Sequence, residues 1–333
     1  KHPMPSIAFL STAHIHTRQY LAFIRNSTDG RRVAAIWDDN PARGRRYAIE
    51  AETFFEPDLD RLLGRSDIDG YIICAENTRH LELLKKVLPL GKPVLCEKPL
   101  VAGSEALAEL RTLVGKRVPP LCCGYFLPFT KEFQAVAKLV EAGSLGTVTR
   151  AGFVNAHAAA YLRWFDDPDL QWFTDPNLSG GGALMDLGTH GVHLLRTLLG
   201  PVEKVWATAE NHSGVYPATD DYGLILLKFR SGVLGRVEAA WTQTGGSNGL
   251  TVIGSQGAVW NTPQGYVMGR PRLTPEPLPT VPALPDRVDR LVAMIRGEIP
   301  CTALQADFEA VCNSVTILDA AYRSAQSGEW VAV

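Results

Sequence analysis

Short apolar runs separated by amphipathic stretches open the chain. Residues 7–10, 33–37, 69–75 and 93–96 are dominated by apolar side chains, with helical patterns at 18–25 and 80–88 between them. Strands buried on both faces read as continuous apolar runs, and their alternation with helices predicts βαβ units and a parallel sheet. The pattern changes after about residue 121. A helix is predicted over 131–142, ending at Gly143, and strand-like runs follow at 148–155, 205–209, 222–229, 233–241 and 250–253. Arg230-Ser231-Gly232 has the composition of a hairpin connection, which favours antiparallel pairing. The proline-rich stretch 263–285 is predicted to run extended at the surface, and 307–327 forms a last helix. The expected fold is α/β: an N-terminal parallel sheet over 1–122, then an α+β domain over 123–333 with a large, mostly antiparallel open sheet.

Bulk properties narrow the function classes. A length of 333 residues suits two domains. The formal net charge of −2 supplies no basic field to hold nucleic acid or an anionic membrane. Six cysteines without a Cys-x-x-Cys pair, most of them in apolar runs, read as buried free thiols in a reducing compartment. No stretch is apolar for long enough to span a bilayer, and no signal peptide opens the chain. Lys1-His2-Pro3 reads as an addition ahead of a natural start at Met4. A cytoplasmic protein is expected.

Candidate chemistry sits at the ends of the first strands. A dinucleotide needs a tight turn after the first strand and a helix N-terminus aimed at its pyrophosphate. Here Ser11, Ala13 and His16 stand where glycines are usual, in the segment Ser11-Thr12-Ala13-His14-Ile15-His16. Asp38, just past the second apolar run, is placed to accept both hydroxyls of an adenosine ribose and to repel a 2′-phosphate. That favours NAD over NADP; a solvated turn is the other reading. Glu97-Lys98-Pro99 follows a predicted strand end, where ligands bind in open α/β sheets. A lysine there suits hydrogen bonding to a substrate hydroxyl, and a surface ion pair is the plainer alternative.

The stretch Gly180-Gly181-Gly182-Ala183-Leu184-Met185-Asp186-Leu187-Gly188-Thr189-His190 carries the second feature. On a helix from about Ala183, Asp186, His190, His193 and Thr197 fall within roughly a 60° arc. A carboxylate beside an imidazole favours its charged form and holds its orientation, which suits a general base for an alcohol proton. A metal site and a buried structural pair are the alternatives, although no further ligand set is evident for a metal. Three preceding glycines allow close passage past a ligand.

Together these pieces resemble the glucose–fructose oxidoreductase / inositol dehydrogenase / MocA (Gfo/Idh/MocA) family over nearly the whole chain. The similarity runs through Asp67–Ala75, Asn77 and His80, Gly91–Leu100, Leu145-Gly146, Trp172-Phe173, the triple glycine, Asp186 and His190, and Ala320-Ala321-Tyr322-Arg323-Ser324. It implies a Rossmann domain and a catalytic set of Lys98, Asp186 and His190. It also implies a cofactor site built from Ser11, Thr12, Ala13, His14, Ile15, Asp38, Ala75, Asn77, His80, Glu97 and Lys98. Substrate contacts are expected from Tyr125, Asn155, His157, Trp164, Trp172 and His193, with Tyr161 nearby, and no metal.

The implied reaction moves a hydride between nicotinamide and a carbinol carbon of a sugar, cyclitol or sugar derivative. Retained NAD assisting glycoside cleavage or epimerisation, and a non-catalytic sugar or NAD sensor, are the alternatives. Several departures bear on this. The glycine fingerprint is replaced at all three positions, Glu76 precedes Asn77 in place of proline, and His193 stands where aspartate is usual. Tyr125-Phe126-Leu127-Pro128 lacks the arginine often found there. The partner expected is a small sugar or polyol, with a homodimer or homotetramer formed through the open sheet.

Overall fold

The computed structural model describes residues 4–333, so the reading of Lys1-His2-Pro3 lies outside the described residues. Strands β1 (Ser6–Leu10), β2 (Arg32–Trp37), β3 (Gly70–Ile73), β4 (Val94–Cys96) and β5 (Leu121–Cys123) form a parallel sheet in the order β2-β1-β3-β4-β5. β1, β3, β4 and β5 are buried along their whole length, as a sheet covered on both faces requires. Helices α1 (Thr17–Arg25), α2 (Pro41–Glu50), α3 (Leu59–Leu63), α4 (His80–Val87) and α5 (Ser104–Val114) connect them. Strand order reverses between β1 and β3, and the crevice at that switch point is where such sheets bind ligands.

After α6 (Lys131–Glu141), β6 (Val148–Ala156) enters a second sheet. α7 (Pro176–Ser179) and α8 (Thr189–Leu199) follow, and then β7 (Val202–Glu210), β8 (Tyr222–Phe229), β9 (Leu234–Ala240) and β10 (Gly249–Gly254). The rim is made by β11 (Ala258–Thr262), β12 (Gly265–Gly269) and the two-residue β13 (Glu276–Pro277). With β14 (Val331–Ala332) they order as β13-β12-β11-β10-β6-β9-β8-β7-β14, antiparallel except for the parallel pair β6–β9. Along β8 burial alternates strictly, with Gly223, Ile225, Leu227 and Phe229 inward. The outward face is only partly covered, so the open sheet expected from the sequence is present.

Two C-terminal helices bind the layers together. Val288, Leu291 and Val292 of α9 (Arg287–Ile295) pack with Ile7, Phe9, Tyr20, Ile72 and Leu95, covering one face of the parallel sheet. Helix α10 (Cys301–Ser327) places Phe308, Val311, Cys312 and Val315 against the other face. Its second half puts Ile317, Leu318, Ala320 and Ala321 into the core of the second sheet. Each fully buried Leu or Val contributes about 1.5–3 kcal/mol, so α10 ties the two cores strongly. The sequence pattern predicts this helix only from 307. All six cysteines are free, but Cys301 at the start of α10 is exposed, in contrast to the buried thiols expected. Among the described residues no helix is long and apolar enough to cross a membrane.

Candidate active site

The C-terminal ends of β1, β3 and β4 face the segment that enters α8. After β1, Ser11 takes the left-handed conformation (φ 68°) that glycine adopts most easily, so the sharp turn is kept without its usual residue. Ser11 and Ala13 are buried, while Ile15 is exposed at the loop tip. α1 begins at Thr17, and its first turn has no side-chain cap.

Asp38 sits at the end of β2 as expected, but its carboxylate is already engaged. Its oxygens accept from Thr12 N (2.8 Å) and Thr12 Oγ1 (2.5 Å), from Asn40 N (2.8 Å), and from Nε and Nη2 of Arg43 (3.0 and 2.8 Å). The free carboxylate anticipated for a ribose is therefore a buried ion pair with Arg43, a partner two residues past the Pro41 that opens α2.

Beyond β3, Ala75 is buried, and Asn77 Nδ2 donates to the Ser179 carbonyl at 2.8 Å. Asn77 Oδ1 is buried without a partner. His80, expected to touch the cofactor, instead spans two carbonyls, with Nδ1 2.8 Å from Pro99 O and Nε2 3.1 Å from Ala75 O. Burial holds it below the usual histidine range. It braces the turn after β4, whose Lys98–Pro99 bond is cis.

Glu97 and Lys98 are buried, contrary to the surface ion pair that was the plainer sequence alternative. Lys98 Nζ donates to Asp186 Oδ1 and to the Asp186 carbonyl, both at 2.7 Å. Trp241 Nε1 donates to the other carboxylate oxygen at 3.0 Å. Burial alone would raise the Asp186 pKa; the Lys98 charge and these hydrogen bonds outweigh it and hold the group at about 2. Glu97 accepts from the Lys98 backbone N–H at 3.0 Å and from the Tyr20 hydroxyl, and lies 3.0 Å from His16 Nδ1. Burial pushes it up, but His14, His16 and Lys98 hold it well below the usual carboxylate range.

His190 does not hydrogen-bond to Asp186. Residues Leu184–Gly188 form a single π-helical turn, with i→i+5 bonding, before α8. His190 is buried against Phe126 and the edge of Tyr125, and its Nδ1 has no partner. Burial first, and then the charge of Lys98, push it well below the usual histidine range, so it is neutral where the sequence reading expected a charged form. His193 departs further. It stacks on Tyr125 (4.1 Å between centroids), meets Ser314 Oγ at 3.0 Å, and is lowered by burial to about 3. Its contacts are with Tyr125 and with Ser314 of α10.

The glycines also serve a different purpose from the one expected. A Cβ on Gly182 would stand 1.8 Å from the Asp220 carbonyl oxygen, and one on Gly181 2.2 Å from the Tyr322 hydroxyl. Close passage is past the protein's own chain. Asp220 accepts from Gly182 N (2.9 Å), Leu184 N (2.7 Å) and Tyr322 Oη (3.0 Å), fixing the start of the π turn.

The expected substrate residues divide into two groups. Trp172 is buried, and its Nε1 bonds to Ala13 O at 3.0 Å, fastening the 170s segment to the turn after β1. Tyr125 is buried, with its hydroxyl 2.6 Å from Thr189 Oγ1, and Asn155 Nδ2 donates to Leu187 O at 3.3 Å. His157 lies 4.7 Å from the Trp164 ring, and burial holds it below the usual histidine range, opposed by the Asp186 charge. Trp164 and Tyr161 are exposed at the rim. Sequence reasoning missed the roles of Tyr20, Arg43, Asp220 and Trp241. Tyr20, four residues after His16 on α1, carried a spacing signal; Trp241, just past β9, carried none.

The comparisons agree with this architecture. Residues 8–122 match the oxidoreductase family with an NAD-binding Rossmann fold, and 133–260 match the GFO/IDH/MocA C-terminal domain. An inositol 2-dehydrogenase of Saccharopolyspora erythraea is 32% identical over 134 residues, 39% of this chain and 40% of that protein. A 1,5-anhydro-D-fructose reductase of Ensifer adhaerens is 27% identical over 258 residues, 76% of this chain and 72% of that one. The fold matches that of an inositol dehydrogenase homologue of Azotobacter vinelandii, solved with NAD+, at a TM-score of 0.83 and 19% identity, covering 100% of this chain and 98% of the other.

The residues here fit NAD in three respects. These are the left-handed turn at Ser11, the N-terminus of α1 free of a side-chain cap, and the unpartnered Asn77 Oδ1 in the crevice. The paired Asp38 is the departure. Both halves of the chain thus lead to one conclusion: it belongs to the Gfo/Idh/MocA family of NAD-binding oxidoreductases.

Proposed function

We propose that the protein is an NAD(H)-dependent oxidoreductase acting on a CH–OH group of a sugar, cyclitol or sugar derivative. The observation that carries this is His190, neutral, packed beside Tyr125 and Phe126 and within reach of the charge of the Lys98–Asp186 pair. Bound NAD supplies the nicotinamide C4 that accepts or returns the hydride. In the oxidative direction His190 takes the hydroxyl proton at Nε2, the ring nitrogen that is not sealed in the interior, and the Lys98 ammonium donates a hydrogen bond to the same oxygen as its negative charge develops. The C–H bond breaks with its electron pair as the C=O bond forms. Asp186 positions Lys98, and Trp241 positions Asp186. Depressed basicity keeps His190 unprotonated and ready near neutral pH.

In this reading residues 1–122 carry the cofactor and 123–333 the substrate face, with α9 and the first half of α10 returning to the cofactor sheet. Thr12, His14, Asn77 and Glu97 are the cofactor-side candidates; Asn155, His157, Trp164 and Trp172 are the substrate-side ones. The similarity to an inositol dehydrogenase and an anhydrofructose reductase supports a polyhydroxylated ring as substrate. A cytoplasmic enzyme paired through its open sheet completes the proposal.

The test is steady-state kinetics with a panel of inositols, aldoses and anhydro sugars. Lys98→Met and His190→Asn are each expected to lower kcat by about 10²–10⁴-fold with NADH affinity preserved. Wild-type rates in both variants would sink the assignment. NAD that co-purifies and turns over without net reduction would instead point to a retained cofactor.

A further inference from the structure

Two histidines stand in the cofactor turn, one of them at a usual glycine position, and neither takes part in the proton and hydride transfers proposed above. His14 and His16 lie on the loop after β1, and Glu97 follows β4. One nitrogen of each imidazole and one Glu97 oxygen all fall within 4.8 Å of one another. His14 Nδ1 is 3.8 Å and His16 Nδ1 3.0 Å from Glu97 Oε1, and the two rings meet edge to face at 4.6 Å.

Two further observations point to a missing cation. Glu97 is wholly buried, yet the nearest ammonium, Lys98, is committed to Asp186. A buried carboxylate needs a counter-charge of its own. Tyr20, on α1, donates its hydroxyl to the same Glu97 oxygen, the kind of outer contact that orients a ligating carboxylate.

We propose that His14, His16 and Glu97 bind a divalent first-row transition ion, with zinc the best match to this donor set. Two imidazoles and one carboxylate are a recognised N₂O ligand set for zinc, leaving a fourth position for water or an oxygen of a bound molecule. The ion would join the cofactor turn to the end of β4, the connection that glycine-rich turns lack. This site is distinct in its residues from the Lys98–Asp186–His190 set and goes beyond the reading of it.

The test is metal content. Chelator-stripped full-length protein is dialysed against micromolar zinc chloride and analysed by mass spectrometry of the bound metal, with cobalt(II) absorption reporting coordination. Wild type and His212→Ala, a histidine remote from the cluster, are expected to bind one ion per chain. His16→Ala, partly exposed and so tolerant of change, and Glu97→Gln are expected to bind at least about tenfold more weakly. Circular dichroism confirms that the variants fold. Wild type that binds no zinc, or that binds it no better than His16→Ala, overturns the proposal and leaves the hydrogen bond between His16 and Glu97 as the account of the cluster. NADH binding is titrated in parallel. A metal-free protein that still binds NADH refutes the ion alone, whereas loss of both refutes the cofactor reading of the turn as well.

Discussion

Asp38 shows at residue scale how a motif position can be occupied and yet engaged otherwise. The sequence places a carboxylate at the end of β2, and the structure agrees, but both oxygens are held by Thr12 and Arg43. The Asp38 side chain is fully buried and that of Arg43 nearly so, so removing one partner strands the other's charge. Breaking a buried pair costs about 3–5 kcal/mol, and the further contacts of Arg43 with Asp39 (3.2 Å) and Glu76 (3.7 Å) favour the lower end. Asp38→Ala is therefore expected to destabilise the protein by about 3 kcal/mol in urea unfolding, with Arg43→Ala;Asp38→Ala less unstable than the sum of the single changes. A loss below about 1 kcal/mol would show the pair to be solvated. Lys98 and Glu97 were legible from their position after a strand, and Asp186 from its spacing to His190. Their mutual contacts were not, because Lys98 and Asp186 are 88 residues apart in the chain.

At the scale of elements, the βα alternation was readable because parallel strands buried on both faces leave unbroken apolar runs. Short helices such as α3 and the short strand β5 left too little periodicity to register. The π turn at Leu184–Gly188 was invisible for a different reason: an Asp-x-x-x-His spacing looks the same whether the backbone winds by i→i+4 or i→i+5. Across this turn Asp186 meets Lys98 and Trp241 while His190 faces Tyr125 and Phe126. The turn is set by Asp220, whose backbone touches Gly182 and whose carboxylate caps Gly182 and Leu184. Gly182→Ala forces a Cβ onto backbone that has no room to move, and is expected to cost about 3 kcal/mol of stability and to lower kcat. Thermal melts and kinetics check this; an alanine variant with wild-type melting and turnover would show that the glycine is not needed there.

At the scale of the whole molecule, several of the eight histidines are buried and neutral. His14, His80, His157, His190 and His193 all have folded-state values below the ordinary 6.5, burial being the largest cause in each. In the unfolded chain each binds a proton near pH 6.5, whereas in the folded chain it does so only at lower pH. The stabilisation is therefore fully present above about pH 6.5 and is lost as pH falls toward the folded values, about 3 for His193. Each group that takes up a proton on unfolding contributes a slope of up to about 1.4 kcal/mol per pH unit. Melting temperature is expected to fall steeply from pH 6.5 to pH 5, and a flat profile would show the imidazoles to be hydrated. The two-layer plan that buries them was readable from the sequence. Helix α9 was not, because no helix was read between the proline-rich stretch and residue 307.

The chemistry proposed above is hydride transfer at a carbinol carbon assisted by Lys98 and His190. The most direct measurement is incubation of the protein with NADH deuterated at the transferable C4 position and a panel of keto-sugars and keto-cyclitols, with mass spectrometry of the products. Deuterium at one carbinol carbon of one product, transferred by wild type and nearly abolished in Lys98→Met, is the predicted result. Saturable NADH binding with no deuterium delivered to any product, or equal transfer by Lys98→Met, would contradict it.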